Sequence, residues 1–184
     1  ENAQIDFTLS GDYEVTLEVT RMDGSTFECT WIVHVRGPGV RVELCWDETG
    51  PSATDPADID LHFARRGTTM SWFDAQDCHY MNCKGTSFGE PIAWGYPDTP
   101  IENCTGPGAR GDFTVGCPNP RLDVDNIFES SEYVPENINV DNPNDGDEFR
   151  VMVHHYEYTD MPVRPMVSIC CGGELRGTYG AAPD

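Results

Sequence analysis

Apolar residues in this chain recur at every second position, and no segment sustains a helical period. Tyr13, Val15, Leu17 and Val19 alternate with Glu14, Thr16, Glu18 and Thr20; after an Asp23-Gly24 turn, Phe27, Cys29, Trp31, Val33 and Val35 resume the pattern. This predicts a hairpin over residues 13 to 35 with one apolar face. Val40, Val42, Leu44 and Trp46 form a third alternating run, and Ile59, Leu61 and Phe63 a fourth. Further strands are expected over Phe149 to Tyr158 and Pro162 to Cys171. Because successive side chains on a strand point to opposite faces, such a chain buries its apolar residues by packing sheets together. The expected class is all-β: a truncated sandwich, followed by a disulfide-stabilised β-sandwich or jelly-roll-like domain.

Gly37-Pro38-Gly39 breaks strand pairing and is the natural linker. It divides a first unit (residues 1–36) from a second (residues 40–176), with residues 177–184 as a tail. Only one short run, Ile5 to Leu9, precedes the hairpin, which is too little to cover its apolar face. The first unit is therefore expected to be completed by an upstream segment or by a neighbouring chain. The sequence opens at Glu1 with neither Met nor a charged-then-apolar leader, which reads as a mature or trimmed piece with its export signal upstream.

Eight cysteines appear, none in a C-x-x-C pair. That favours structural disulfides over a zinc site and places the chain in an oxidising compartment, secreted or at a cell surface. Four cysteines fall in a loop-rich middle, about residues 67 to 120, where disulfides are expected to replace a missing core. The spacing predicts bridges between Cys78 and Cys83 and between Cys104 and Cys117, each pair enclosing a short turn-rich segment. Cys170 and Cys171 face opposite ways on a strand, so one of them, taken as Cys170, is expected to reach Cys45 across the sheet.

Charge and composition exclude further classes. There are 11 Lys plus Arg against 32 Asp plus Glu, a net charge of -21, which argues against nucleic acid as a partner. No stretch approaches the roughly 18 uncharged apolar residues of a bilayer span. With 4 Trp, 7 Tyr and 8 Phe the chain still has rings enough to build a core. Nucleophile-elbow, zinc-protease, phosphate-loop and dinucleotide patterns are missing, and each carboxylate pair shares one strand face instead of flanking a cleft. The expectation is a protein that is not an enzyme.

Two D-x-D pairs, Asp58/Asp60 and Asp123/Asp125, each put like charges on one strand face; Asn126 adjoins the second, and Glu136 and Asn137 follow a turn at Pro135. If the three segments converge, they form a hard-oxygen Ca²⁺ site, with calcium as the expected cofactor; otherwise they are a solvated acidic face. Asp141 to Glu148 resembles an EF-hand loop only superficially, since Pro143 and Met152 stand at ligand positions, and a hairpin turn is expected instead. His154 and His155 point to opposite faces, so a transition-metal site would need His62 or His79 to join one of them. Trp72, Tyr80, Trp94 and Tyr96 either pack around the Cys78 bridge or present rings to a glycan. Arg110-Gly111-Asp112 and Asn103-Cys104-Thr105 read as an adhesion tripeptide or plain turn, and as a conditional glycosylation acceptor.

The string Gly11-Asp12-Tyr13-Glu14-Val15-Thr16-Leu17-Glu18-Val19, with Ile32-Val33-His34-Val35, resembles the closing strands of a PKD-type immunoglobulin-like domain. The second unit resembles the YfaP-like (DUF2135-type) β-sandwich modules of secreted bacterial multidomain proteins. That likeness rests on Leu44-Cys45-Trp46-Asp47, Asp58-Ile59-Asp60-Leu61-His62-Phe63, Arg121-Leu122-Asp123-Val124-Asp125-Asn126, Pro135-Glu136-Asn137-Ile138 and Val151-Met152-Val153-His154-His155-Tyr156. Both resemblances imply surface display, adhesion or spacing without a catalytic reaction. The resulting expectation is a non-catalytic extracellular or cell-surface binding and adhesion module of a larger bacterial protein, calcium-stabilised, whose partner is a glycan or another surface protein. The alternative is a structural subunit or spacer of an extracellular assembly; a metal-dependent hydrolase is the third reading.

Overall fold

Within the described residues the alternating runs become antiparallel strands in the computed structural model, which describes residues 5, 11–35, 39–48, 57–67, 71–84, 92–100, 117–127, 135–157 and 162–180. No helix occurs among the described residues. Strands β1 (Gly11–Thr20) and β2 (Thr26–Val35) form the expected hairpin, in register from Gly11 opposite Val35 to Thr20 opposite Thr26. Gly24 takes a φ of +81° at the turn, a conformation that favours glycine, and Asp23 Oδ1 accepts from the Ser25 N–H at 2.9 Å. Across the hairpin Val15 faces Trp31, Leu17 faces Cys29 and Val19 faces Phe27, so one face is apolar. Trp31 remains 45% exposed and Phe27 59%.

The remaining strands build two sheets. In a five-stranded sheet ordered β10-β9-β3-β7-β6 lie β3 (Val40–Glu48), β6 (Arg121–Val124), β7 (Glu136–Val140), β9 (Val163–Cys171) and β10 (Glu174–Gly180). A three-stranded sheet ordered β5-β4-β8 comprises β4 (Asp58–Arg65), β5 (Asp77–Cys78) and β8 (Phe149–Glu157). Val42, Leu44 and Trp46 of β3, Leu122 of β6 and Ile138 and Val140 of β7 meet Ile59, Leu61 and Phe63 of β4 in one buried cluster. Phe63 stacks on Phe149 at 5.0 Å, and Trp94 closes the cluster against both rings. Period-two patterning thus works as expected on the core side of β3 and β4, and the same period appears in β7, a strand beyond those expected from the sequence.

The structure differs from the sequence reading in three places. Residues 174–180 form β10, which pairs back on β9 through Gly172 and Gly173, so the strand extends into the segment taken as a tail. The segment after β7 carries the chain from one sheet to the other and is therefore a crossing turn, not a hairpin. Cys45 and Cys170 do not bridge. On the paired β3 and β9, Cys45 stands opposite Met166 and Cys170 opposite Arg41, four positions apart along β3. At about 3.4 Å per residue that separation far exceeds the span of a disulfide. Cys170 is a buried thiol and Cys171 an exposed one. The Cys78–Cys83 bridge is present, with Cα atoms 5.1 Å apart. Cys117 is also disulfide-bonded, while its expected partner Cys104 lies outside the described residues. Residues 6–9, 37–38, 103–105 and 110–112 lie outside them too, so the first short strand, most of the linker, the acceptor triplet and the R-G-D triplet are among the undescribed residues.

Candidate metal centre

Alternation on β4 turns Ile59, Leu61 and Phe63 into the sandwich and sends Asp58, Asp60 and His62 to the other face, yet that face is buried as well. The disulfide-closed segment 71–84 lies over it. Phe73 contacts the His62 ring edge at 4.5 Å, and His79 stacks parallel on His62 at 5.0 Å. Tyr80 meets Tyr156 of β8 at 5.5 Å, and Arg150 lies over the Trp72 ring at 4.3 Å. Phe73 adopts a φ of +62°, rare for a bulky side chain, while its N–H donates to Asp77 Oδ2 at 2.7 Å.

β5 pairs with β4 only at Phe63 and Ala64, so the flank of β4 near Leu61 is left for a side chain to complete. Glu136, on the inward face of β7, fills this role. Its Oε2 accepts from the Leu61 N–H at 2.7 Å and its Oε1 from the Asn126 N–H at 3.2 Å. This brings Glu136 to Asp60 and Asp125, and one oxygen of each lies within 4.8 Å of the others. Lys84, the chain's single lysine, donates to Asp125 Oδ2. Asp125 Oδ1 is buried and accepts no hydrogen bond.

Burial foremost, and then the neighbouring Asp125 and Asp60 carboxylates, hold Glu136 well above the usual carboxylate range despite the Leu61 N–H. Asp60 is pushed up to about 6, chiefly by burial and further by Asp125, with His62 and Lys84 opposing. Asp60 and Glu136 therefore both favour the neutral form at this buried point.

Next to this oxygen cluster lies a second grouping. His62 is fully buried, its Nδ1 donates to Asp77 Oδ2 at 2.7 Å, and its Nε2 meets no partner. His154 stands opposite Asp60 across β4 and β8, with Nδ1 3.3 Å from Asp60 Oδ2. His79 donates from Nδ1 to the Asp77 carbonyl at 2.8 Å, and burial lowers its pKa. His62 thus joins His154, the condition that the sequence set for an imidazole site, while His79 groups with His62 and Asp77.

The other expected ligands are placed elsewhere. Asp123 and Asn137 belong to the outward face of the five-stranded sheet, where Arg121 Nε donates to Asp123 Oδ1 at 2.8 Å and Arg41 Nη1 to Asn137 Oδ1 at 2.7 Å. They serve a buried ion-pair network with Glu43, Asn139 and Asp141 and are not brought together with Asp60, Asp125 and Glu136. A bulge between Leu122 and Val124 separates Asp123 from the cluster that receives Asp125. Asn126 contributes its backbone N–H, and Asp58 is buried on β4 outside the grouped carboxylates. His155 is exposed and stands opposite Ile59, on the other face of β8 from His154.

Among the expected ligand-binding rings, Trp94 is only 6% exposed; it packs on Phe63 and Phe149 and donates from Nε1 to the Gln76 carbonyl at 3.1 Å. It is a core residue. Tyr96 donates its hydroxyl to Asp147, and burial first, then this hydrogen bond, raises its pKa to about 12. Tyr80 and Trp72 are half-buried, and Tyr156, not anticipated, is 54% exposed beside Tyr80.

The fold and the site together define an all-β antiparallel protein whose smaller sheet carries a buried seam of carboxylates and imidazoles. No family model matches the chain, and no curated protein or solved structure gives a significant match.

Proposed function

We propose that this protein is a calcium-stabilised, non-catalytic binding module of a secreted or cell-surface protein. The observation that carries this reading is the convergence of Asp60, Asp125 and Glu136 from three separate segments at one buried point. Three carboxylates offset by the Lys84 ammonium leave two negative charges, the charge of one divalent ion. Carboxylate and carbonyl oxygens are the donors Ca²⁺ prefers at six to eight ligands. The ion competes with Lys84 for Asp125. Tyr80, Tyr156 and Trp72 over the same sheet offer the half-exposed rings with which a glycan or a surface protein is gripped.

Calcium at a hundredfold excess over its dissociation constant is expected to stabilise the fold by about 2.7 kcal/mol, a rise of about 5–10 °C in melting midpoint by calorimetry. Magnesium at matched ionic strength is expected to give a much smaller rise, because its small octahedral shell dehydrates reluctantly. Equal shifts with the two ions, or a calcium shift that survives Asp125→Asn, would reduce the cluster to a screened acidic face.

A second reading, a subunit or spacer of an extracellular assembly, is favoured by the hairpin. Among the described residues β1 and β2 pair only with each other, and Leu17, Val19, Phe27 and Trp31 stay about half exposed on one face. Such a face is a packing surface for strands supplied by an upstream segment or a neighbouring copy. Sedimentation velocity is expected to show concentration-dependent association that Phe27→Ser with Trp31→Ser abolishes. A monodisperse monomer with amides protected across residues 13 to 35 is the result that refutes it.

A further inference from the structure

We infer that the imidazole half of the seam is a separate site for a divalent first-row transition metal of the zinc class, held by His62 Nε2, a ring nitrogen of His154 and a carboxylate oxygen of Asp60. One ligand atom from each of these residues lies within 4.8 Å of the other two. Two imidazoles and one carboxylate form a donor set that such ions bind readily and that calcium, an oxygen-seeking ion, does not favour.

The independent sign is His62. Its ring is wholly inaccessible, so an unpaired nitrogen there has lost its hydration with nothing in return. Nδ1 is already committed to Asp77 Oδ2, which leaves the Nε2 lone pair as the unused group. A carboxylate that fixes the far nitrogen of an imidazole is the arrangement that orients metal-binding histidines. Asp77 is itself held by the Phe73 N–H, and Phe73 keeps its unfavourable backbone conformation while covering both His62 and His154.

Ring geometry selects the second imidazole. A lone pair lies in the plane of its ring, so the parallel His62 and His79 rings, 11° apart, send theirs alongside one another without converging. His154 stands at 83° to His62 with centroids 5.7 Å apart, an angle that lets the two nitrogens approach one ion. His79 then packs against the site and Asp77 positions it. The remaining coordination positions open past His154, whose side chain is about one-third exposed. An ion entering there replaces the long His154–Asp60 hydrogen bond.

Asp60 is shared with the calcium reading, so the test separates the two sites by their unshared ligands. Protein stripped with EDTA is titrated with Co²⁺, whose visible d–d absorption reports a four- or five-coordinate site, and Zn²⁺ is then added in competition. The expected result is one equivalent of bound Co²⁺, displaced by Zn²⁺. His154→Ala is expected to weaken binding at least tenfold, and Asp77→Asn by about 10–100-fold. Asp125→Asn and His155→Ala are expected to leave the absorption unchanged, the former while losing the calcium shift. His154→Gln, which keeps the side chain's bulk, serves where the alanine variant fails to melt cooperatively. The inference is overturned if Co²⁺ gives no such band, if the band survives in both His154 variants, or if it disappears with His155→Ala. A calcium shift that is absent while the Co²⁺ site is intact counts against the calcium reading alone.

Discussion

Asp60→Asn is expected to make the metal-free protein more stable at pH 8, by up to about 3 kcal/mol, and to change it little at pH 4. Burial raises the Asp60 pKa from its ordinary 3.8 to about 6 in the folded protein. A folded-state pKa above the unfolded one means that the folded chain holds the proton more tightly. Stability from this group is therefore fully present below pH 3.8 and is lost as pH rises through about 6. Above that, a buried carboxylate near Asp125 and Glu136 is charged at a cost that the neutral amide avoids. Glu136 acts in the same direction. His79 acts in the opposite one: its lowered pKa gives stability above its unfolded pKa of about 6.5 that is lost on acidification, so the wild-type profile alone mixes the two. The difference between wild type and Asp60→Asn isolates the carboxylate. Urea denaturation at the two pH values measures it. Calcium is expected to invert the order at pH 8, because the ion favours the charge that the amide variant no longer carries. A variant no more stable than wild type at pH 8 without metal would show that Asp60 carries no such penalty.

Much of this arrangement is legible in residue order, because sheet formation depends on a local period. Ile59, Leu61 and Phe63 identify the core face of β4 without any knowledge of its neighbours. Repulsion within Asp58/Asp60 and Asp123/Asp125 likewise signals that these carboxylates need positive partners. Which partner each finds is a long-range matter. Asp123 meets Arg121, two residues back on the same strand face, and Arg41 meets Glu43 in the same way. These i, i+2 pairs of opposite charge were present in the sequence as a sign of an ion-paired sheet face, and they explain why Asp123 and Asn137 are lost to the metal cluster. Nothing local indicates that residues 71–84 fold over the outer face of β4, so the burial of His62 and its contact with Asp77 could not be read from spacing. The failed Cys45 pairing has the same origin, since strand alternation fixes the face of Cys170 but not its register against β3.

Trp94→Ala is expected to cost about 3–5 kcal/mol, a large part of the roughly 5–15 kcal/mol that holds a domain folded. The indole fills the space beside Phe63 and Phe149, and its removal opens a cavity that the two rings, fixed on β4 and β8, can close only in part. Its Nε1–H also leaves the Gln76 carbonyl without that donor, which loosens the segment over His62. Tyr156→Ala removes a ring that is more than half exposed and is expected to cost less than about 1 kcal/mol. This contrast separates packing from recognition. Loss of glycan or partner binding on Trp94→Ala alone would reflect a destabilised sandwich, whereas loss on Tyr156→Ala at unchanged stability would place the contact surface on the tyrosine pair. The check is the urea midpoint of each variant together with its m-value, since a cavity shifts the midpoint while leaving the surface exposed on unfolding nearly constant. A Trp94→Ala midpoint equal to the wild type's would return Trp94 to the surface and with it the sequence's reading of that ring as a ligand platform.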